Sequence, residues 1–255
     1  MLETIGLTAD PWLVVVVTAV LLAGFLRGFV GFGAALITVP VLSLIIGPQA
    51  AVAVNNVMGL PAVVQLLPEA IRKAERPVVV PVCLVVFLAT PLGTWLLVLA
   101  DPAVMKIAIS ALVLVMVGML ASGWRLRGHV GLSKLMTAGL LGGLVQGAAG
   151  IGGPPVVAVA LSREGSAEQQ RANVLALMTA ISLSSVAPLI WYGLLTWRAI
   201  TLGLILMPLY SLATYFGSRY FALGGQAHYR RAALATLAVV GVGTLIASVW
   251  GYAAR

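Results

Sequence analysis

The sequence predicts an all-α integral membrane protein, and three observations predict it. Of 255 residues, 61% are hydrophobic and only 9% charged, against ~45–50% and ~25% in soluble domains. Apolar runs at 12–26, 77–99, 104–121 and 232–250 approach or reach the ~17–25 residues that a spanning helix needs. Two glycine-rich breaks interrupt this apolar chain, Arg27-Gly28-Phe29-Val30-Gly31-Phe32-Gly33 and Gln146-Gly147-Ala148-Ala149-Gly150-Ile151-Gly152-Gly153-Pro154-Pro155. Backbone groups freed from a helix inside a bilayer must be satisfied by protein or by an aqueous cavity. Paired breaks at matching places in two halves point to a transporter's central site.

The first half reads as five hydrophobic elements, at 12–27, 33–46, 50–68, 77–99 and 104–123. The second half repeats the pattern at 135–147, 153–162, 172–193, 199–222 and 229–250. The first two elements of each half are short, 10 to 16 residues, and a break joins them. That length suits a hairpin of half-helices entering and leaving by one face; two thin crossings give the same sidedness. Residues 1–11 carry Glu3 and Asp10 but no Lys or Arg, so the first segment lacks the basic region of a cleavable signal. Polar gaps are too short for a soluble domain. Trp12, Trp95, Trp124, Trp191, Trp197 and Trp250 lie near span ends and read as interface anchors. Pro40, Pro61, Pro81, Pro91, Pro188 and Pro208 read as kinks.

The halves match in order. Gly24, Gly28, Gly31 and Gly33 fall on Gly143, Gly147, Gly150 and Gly152 at an offset of 119, and Asn55 falls on Asn173 at 118. Leu88-Ala89-Thr90-x-x-Gly93-Thr94 falls on Leu212-Ala213-Thr214-x-x-Gly217-Ser218 at 124. Residues 1–125 and 126–255 therefore read as two copies of one unit. Loop charge sets their orientation, because cytoplasmic loops concentrate Lys and Arg. With each break a hairpin, one side receives Arg72, Lys73, Arg76, Arg125, Arg127, Lys134, Arg163, Arg171, Arg219, Arg230 and Arg231, and the other Lys106, Arg198 and Arg255. That split is 11 against 3; single crossings give 8 against 6. The hairpin arrangement predicts an outside, periplasmic N-terminus and two units inverted relative to each other.

Net charge is +8, but the basic residues are scattered through short loops, where they set topology and meet lipid head groups. Nucleic acid is not an expected partner. Cys83 stands alone in an apolar run as a small buried hydrophobe. None of the seven carboxylates (Glu3, Asp10, Glu69, Glu75, Asp101, Glu164, Glu168) lies in mid-span, which argues against a carboxylate proton relay. His129 and His228 sit in loops, so no metal site is expected. No catalytic constellation converges, and neither enzyme activity nor a cofactor is expected.

The chemistry of the breaks points to an anion. Glycine allows unusual backbone angles and close approach of helices or ligand. Where the second half-helix of each hairpin restarts, near 33–35 and 153–155, unpaired amides and the positive helix end form an anion site. Pro154-Pro155 fits a helix start. Candidate substrate-binding residues are Arg27, Gly31, Gly33, Asn55, Asn56, Gln146, Gly150, Gly152, Gly153 and Asn173. Arg27 has two readings: it pairs with the anion, or it snorkels to the cytoplasmic surface. Its counterpart, Gln146, is polar and uncharged, which allows an asymmetric site. Asn55, Asn56 and Asn173 head the third elements and serve either as amide donors or as caps and interhelical glue. Gln65, Thr90, Thr214, Ser182, Ser184 and Ser185 are weaker candidates.

At these residues the chain resembles the TauE/SafE family of sulfite and organosulfonate exporters. Gly24-Phe25-Leu26-Arg27-Gly28-Phe29-Val30-Gly31-Phe32-Gly33 through Thr38-Val39-Pro40-Val41-Leu42 is similar to that family's N-terminal signature, and 143–155 to its second-half counterpart. Here Ala34 follows Gly33 where the family usually has a second glycine, and Arg27 stands where many members carry a small residue. The resemblance implies an inner-membrane permease exporting sulfite, sulfoacetate or other sulfonates; the residues alone supply only an anion and an inverted-repeat carrier. An anion channel, or a carrier of sulfate or small carboxylates, is the alternative on the same scaffold. Membrane lipid is an expected partner, and a coupling proton or sodium ion and homo-oligomerisation are compatible with the sequence.

Overall fold

The structure is a computed structural model that describes residues 11–30, 33–122, 131–160, 167–222 and 226–253. These residues form helices only: α1 (Pro11–Val30), α2 (Ala35–Ile46), α3 (Pro48–Lys73), α4 (Arg76–Leu99), α5 (Pro102–Ala121), α6 (Leu132–Ala149), α7 (Gly153–Ala160), α8 (Ala167–Ser184), α9 (Val186–Trp191), α10 (Trp197–Ala222) and α11 (Gln226–Ala253). Among the described residues, five stretches are long and apolar enough to cross a membrane: Trp12–Phe29, Arg76–Leu99, Pro102–Met119, Ala172–Trp191 and Trp197–Gly217. Without water, a chain this apolar satisfies its amides within its own helix. Large apolar side chains face outward, with Leu88 75%, Ile205 65% and Val239 72% exposed. Patches of that extent mark a lipid-facing surface. Trp12, Trp191, Trp197 and Trp250 are exposed at or near helix ends. The chain is a multi-pass membrane protein.

Local chemistry sets the helix ends. Asp101 Oδ1 accepts the Ala103 and Val104 amides at 2.8 and 3.3 Å, and Pro102 follows it, so α5 starts with a capped first turn. Gly47, at φ 86°, closes α2 by donating its N–H to the Ser43 carbonyl. Several elements differ from the sequence expectation. The first element of each half is longer than expected: α1 has 20 residues and α6 has 18. The expected single element at 172–193 is divided at Ser185 into α8 and α9. Pro188 favours a division here, since it has no N–H for the Ser184 carbonyl and its ring crowds that group.

Packing rests on glycine. The most extensive helix pairs are α1 with α10 and α4 with α6. A methyl group at Gly24 would collide with the Tyr210 carbonyl oxygen, and one at Gly143 with that of Val86. Gly217 likewise lies against the Phe25 carbonyl, and Gly93 against that of Leu144. Each contact has a counterpart 119 residues further along α1 and α6, and 124 further along α4 and α10. Buried apolar side chains form two clusters. One is built largely from α1, α2, α3 and α5, the other from α4, α6, α7 and α8.

Candidate functional site

Both glycine-rich breaks converge on one cavity. Its volume is about 70 Å³, several times the ~10–15 Å³ that one water needs on the same measure. Arg27, Gly33, Asn55, Asn56, Gln146, Gly150 and Gly153 all line it. So do Tyr210 from α10 and Met178, Ile181 and Ser182 from α8. Gly31 and the loop residues Trp124, Arg125, Arg127, His129, Arg163 and Glu164 lie outside the described residues.

At the first break, α1 carries Arg27 in its last turn. Gly33 turns the chain at φ 93°, a region that favours glycine. Then α2 begins without any side-chain cap on Ala34. The Leu36 amide bonds the Gly33 carbonyl, and those of Ile37 and Thr38 bond the Ala34 carbonyl. The amides of residues 33–35 precede that ladder, at the positive end of the helix. Residues Gly33, Ala34, Ala35 and Leu36 border the cavity.

The second break is held by Gln146. Its Nε2 donates to Ser185 Oγ at 3.0 Å, and its Oε1 accepts the Gly152 amide at 3.1 Å. Its carbonyl takes the Gly150 amide at 2.8 Å, with Gly150 at φ 69°. One side chain thus ties the end of α6, the turn into α7 and the division between α8 and α9. Gly153, Pro154 and Pro155 open α7, where missing proline N–H groups remove no helical bond. Gly152 does not line the cavity; a methyl there would collide with the Gly142 carbonyl of α6. Its small size serves chain packing.

The polar inventory of the wall is one-sided. Among the described residues, Arg27 is the charged one lining the cavity, and no carboxylate borders it. Arg27 and Tyr210 line the same cavity, with the positive guanidinium near enough to the phenol to act on it electrostatically, and Arg27 Nε and Asn56 Nδ2 are buried donors with no hydrogen-bond partner. Thr38 Oγ1 donates to Asn55 Oδ1 at 2.6 Å, which leaves the Asn55 amino group as the free end of that amide. A buried donor without an acceptor costs ~1–3 kcal/mol, and any acceptor atom placed against it removes that cost. Among the described residues, no group of three or more His, Cys, Asp or Glu gathers to hold a metal.

Asn173 lies elsewhere. Its Oδ1 accepts the Glu75 amide at 2.8 Å, satisfying the backbone where α4 begins. It is not among the cavity residues, so the equivalence with Asn55 stops at the sequence. Two contributors escaped the sequence reading. Thr38 was an ordinary polar residue in an apolar run, and Tyr210 stands 124 residues beyond Val86, an apolar counterpart. The signal for Tyr210 is its hydroxyl in the middle of the α10 span.

An all-helical chain that crosses the membrane several times and encloses a donor-lined cavity has the build of a membrane transport protein. Residues 16–244 match the family described as Sulfite exporter TauE/SafE, and the chain belongs to that family of membrane transporters. Neither a curated protein nor a solved structure matches it.

Proposed function

We propose that this protein is a secondary transporter of the inner membrane that exports small sulfur-containing anions, such as sulfite, sulfoacetate or other organosulfonates, by alternating access. The carrying observation is the pair of unpartnered donors, Arg27 Nε and Asn56 Nδ2, in the wall of a cavity that no carboxylate among the described residues borders. The N-terminal residues of α2 and α7 border the same space and add their dipole ends to the attraction.

In this reading, residues 1–125 and 126–255 are inverted repeats of five elements, with α8 and α9 forming one. The N-terminus is periplasmic. Each break joins a longer helix to a short one, and α2 aims its first amides, and α7 the Gly153 amide alone, at a shared mid-membrane pocket, because Pro154 and Pro155 have no N–H. The reciprocal glycine contacts support this: a twofold axis between copies places Gly24 on Tyr210 and Gly143 on Val86 alike. An odd number of elements per copy makes that axis lie in the membrane plane.

The wall also favours an anion with a short carbon tail. Along α3, cavity residues run from Asn55 and Asn56 through Gly59 to Leu60 and Val63. From residue 55 to residue 63 the helix rises ~12 Å, from amide donors to apolar side chains. Counterflow in proteoliposomes tests the function. Labelled sulfoacetate is expected to enter vesicles loaded with unlabelled sulfoacetate or sulfite, with a saturable rate. Conductance without saturation would establish a channel instead, and absence of flux for sulfite, sulfonates and carboxylates would overturn the reading.

A further inference from the structure

Tyr210 is 3% exposed, lies within the α10 span and borders the cavity. Its backbone is pressed against α1 at Gly24, one turn before Arg27 on the same face. That approach brings the phenol and the guanidinium to the wall of one cavity. A guanidinium has donors only, so Arg27 has no lone pair to accept the phenolic proton. The equivalent place in the other half offers nothing comparable. There Gly143 meets Val86, and Gln146 spends both amide ends on Ser185 and Gly152.

We propose that Tyr210 is a substrate-recognising residue: its phenolic proton donates to an oxygen of the bound anion while Arg27 holds the phenol oxygen from behind. The inference rests on the anion-carrier reading above. Arg27 and Tyr210 then form one recognition unit on a single side of an otherwise twofold site. A ligand with at least two oxygens on one centre, a sulfonate, sulfite or carboxylate head, meets Arg27 Nε with one and Tyr210 with the other. Polarisation of the phenol by the cation strengthens its donation.

Calorimetric titration of the purified protein with methanesulfonate, and separately with sulfite, tests it. Tyr210→Phe keeps the ring and its packing, and is expected to bind about 10-fold more weakly, because a hydrogen bond to a charged group contributes roughly 1.5–3 kcal/mol. Saturating the wild type with methanesulfonate is expected to shift its tyrosine ultraviolet spectrum to the red, and this shift vanishes in Tyr210→Phe. Affinity within about twofold of wild type in a folded Tyr210→Phe overturns the assignment alone. Should that variant fail to fold, the wild-type difference spectrum decides, and saturation without any tyrosine signal overturns the assignment. A wild type that binds neither probe overturns the anion-carrier reading, and the Tyr210 assignment with it.

Discussion

Arg27 and Gln146 stand three residues before the ends of α1 and α6, 119 residues apart in sequence, and both border the same cavity. Their side chains do different work. Gln146 is saturated by Ser185 and Gly152, whereas Arg27 keeps a buried Nε without a partner. Loop bracing therefore falls on Gln146, and the proposed function assigns substrate attraction to Arg27.

Arg27→Gln is expected to lower methanesulfonate affinity by roughly 10- to 100-fold, the loss of a hydrogen-bonded charge. Isothermal titration reads it directly. Unchanged affinity would remove Arg27 from recognition despite its place in the wall.

Gln146→Leu leaves the buried Gly152 amide and the Ser185 hydroxyl without their bonds. The expected loss is ~1–3 kcal/mol of stability for each group left unsatisfied, seen as a lower melting temperature in detergent. Gln146→Glu keeps an acceptor for Gly152 but brings a carboxylate to the cavity wall, so anion binding is expected to fall further than in Gln146→Leu. Equal binding by the two variants would contradict an anion pocket at this position.

Gly93→Ala and Gly217→Ala each force a methyl into a neighbouring helix backbone, at Leu144 and Phe25 respectively. Overpacking of this kind destabilises by ~1–3 kcal/mol. Gly118 in α5 has open space beside it, and Gly118→Ala is expected to match or exceed wild-type stability, since alanine favours a helix by roughly 0.5–1 kcal/mol. Melting curves of the three variants check the contrast. Gly93→Ala and Gly217→Ala melting like wild type would contradict the close α4–α6 and α1–α10 contacts.

Asn173→Ala is expected to destabilise by ~1 kcal/mol, the usual loss for a side chain that satisfies a helix start, with anion affinity unchanged. A drop in affinity without a drop in stability would return Asn173 to the binding residues.

The helices were legible because branched aliphatic runs and glycine breaks leave a membrane chain few choices. The division at Ser185 was not. Pro188 sits in the same kind of apolar run as Pro40, Pro81, Pro91 and Pro208, which lie inside continuous helices. Only tertiary partners distinguish it, here Gln146 on Ser185 and Thr90 on Ser184 at 2.9 Å. Within the cavity, Arg27, Asn55, Asn56 and Gln146 were readable as polar groups that an apolar segment tolerates only with a partner or a purpose. Asn173 obeyed the same rule and found its partner in the Glu75 backbone. Tyr210 was hidden because an aromatic ring in an apolar run looks like core until its hydroxyl is placed beside Arg27.

Selenite, a heavier analogue of sulfite, locates the bound anion by anomalous diffraction from selenium in a co-crystal of the unlabelled protein. The account predicts a peak inside the cavity, within hydrogen-bonding reach of Arg27 Nε and Asn56 Nδ2. A saturated crystal with selenium elsewhere, or with those two donors left unbonded, would contradict it.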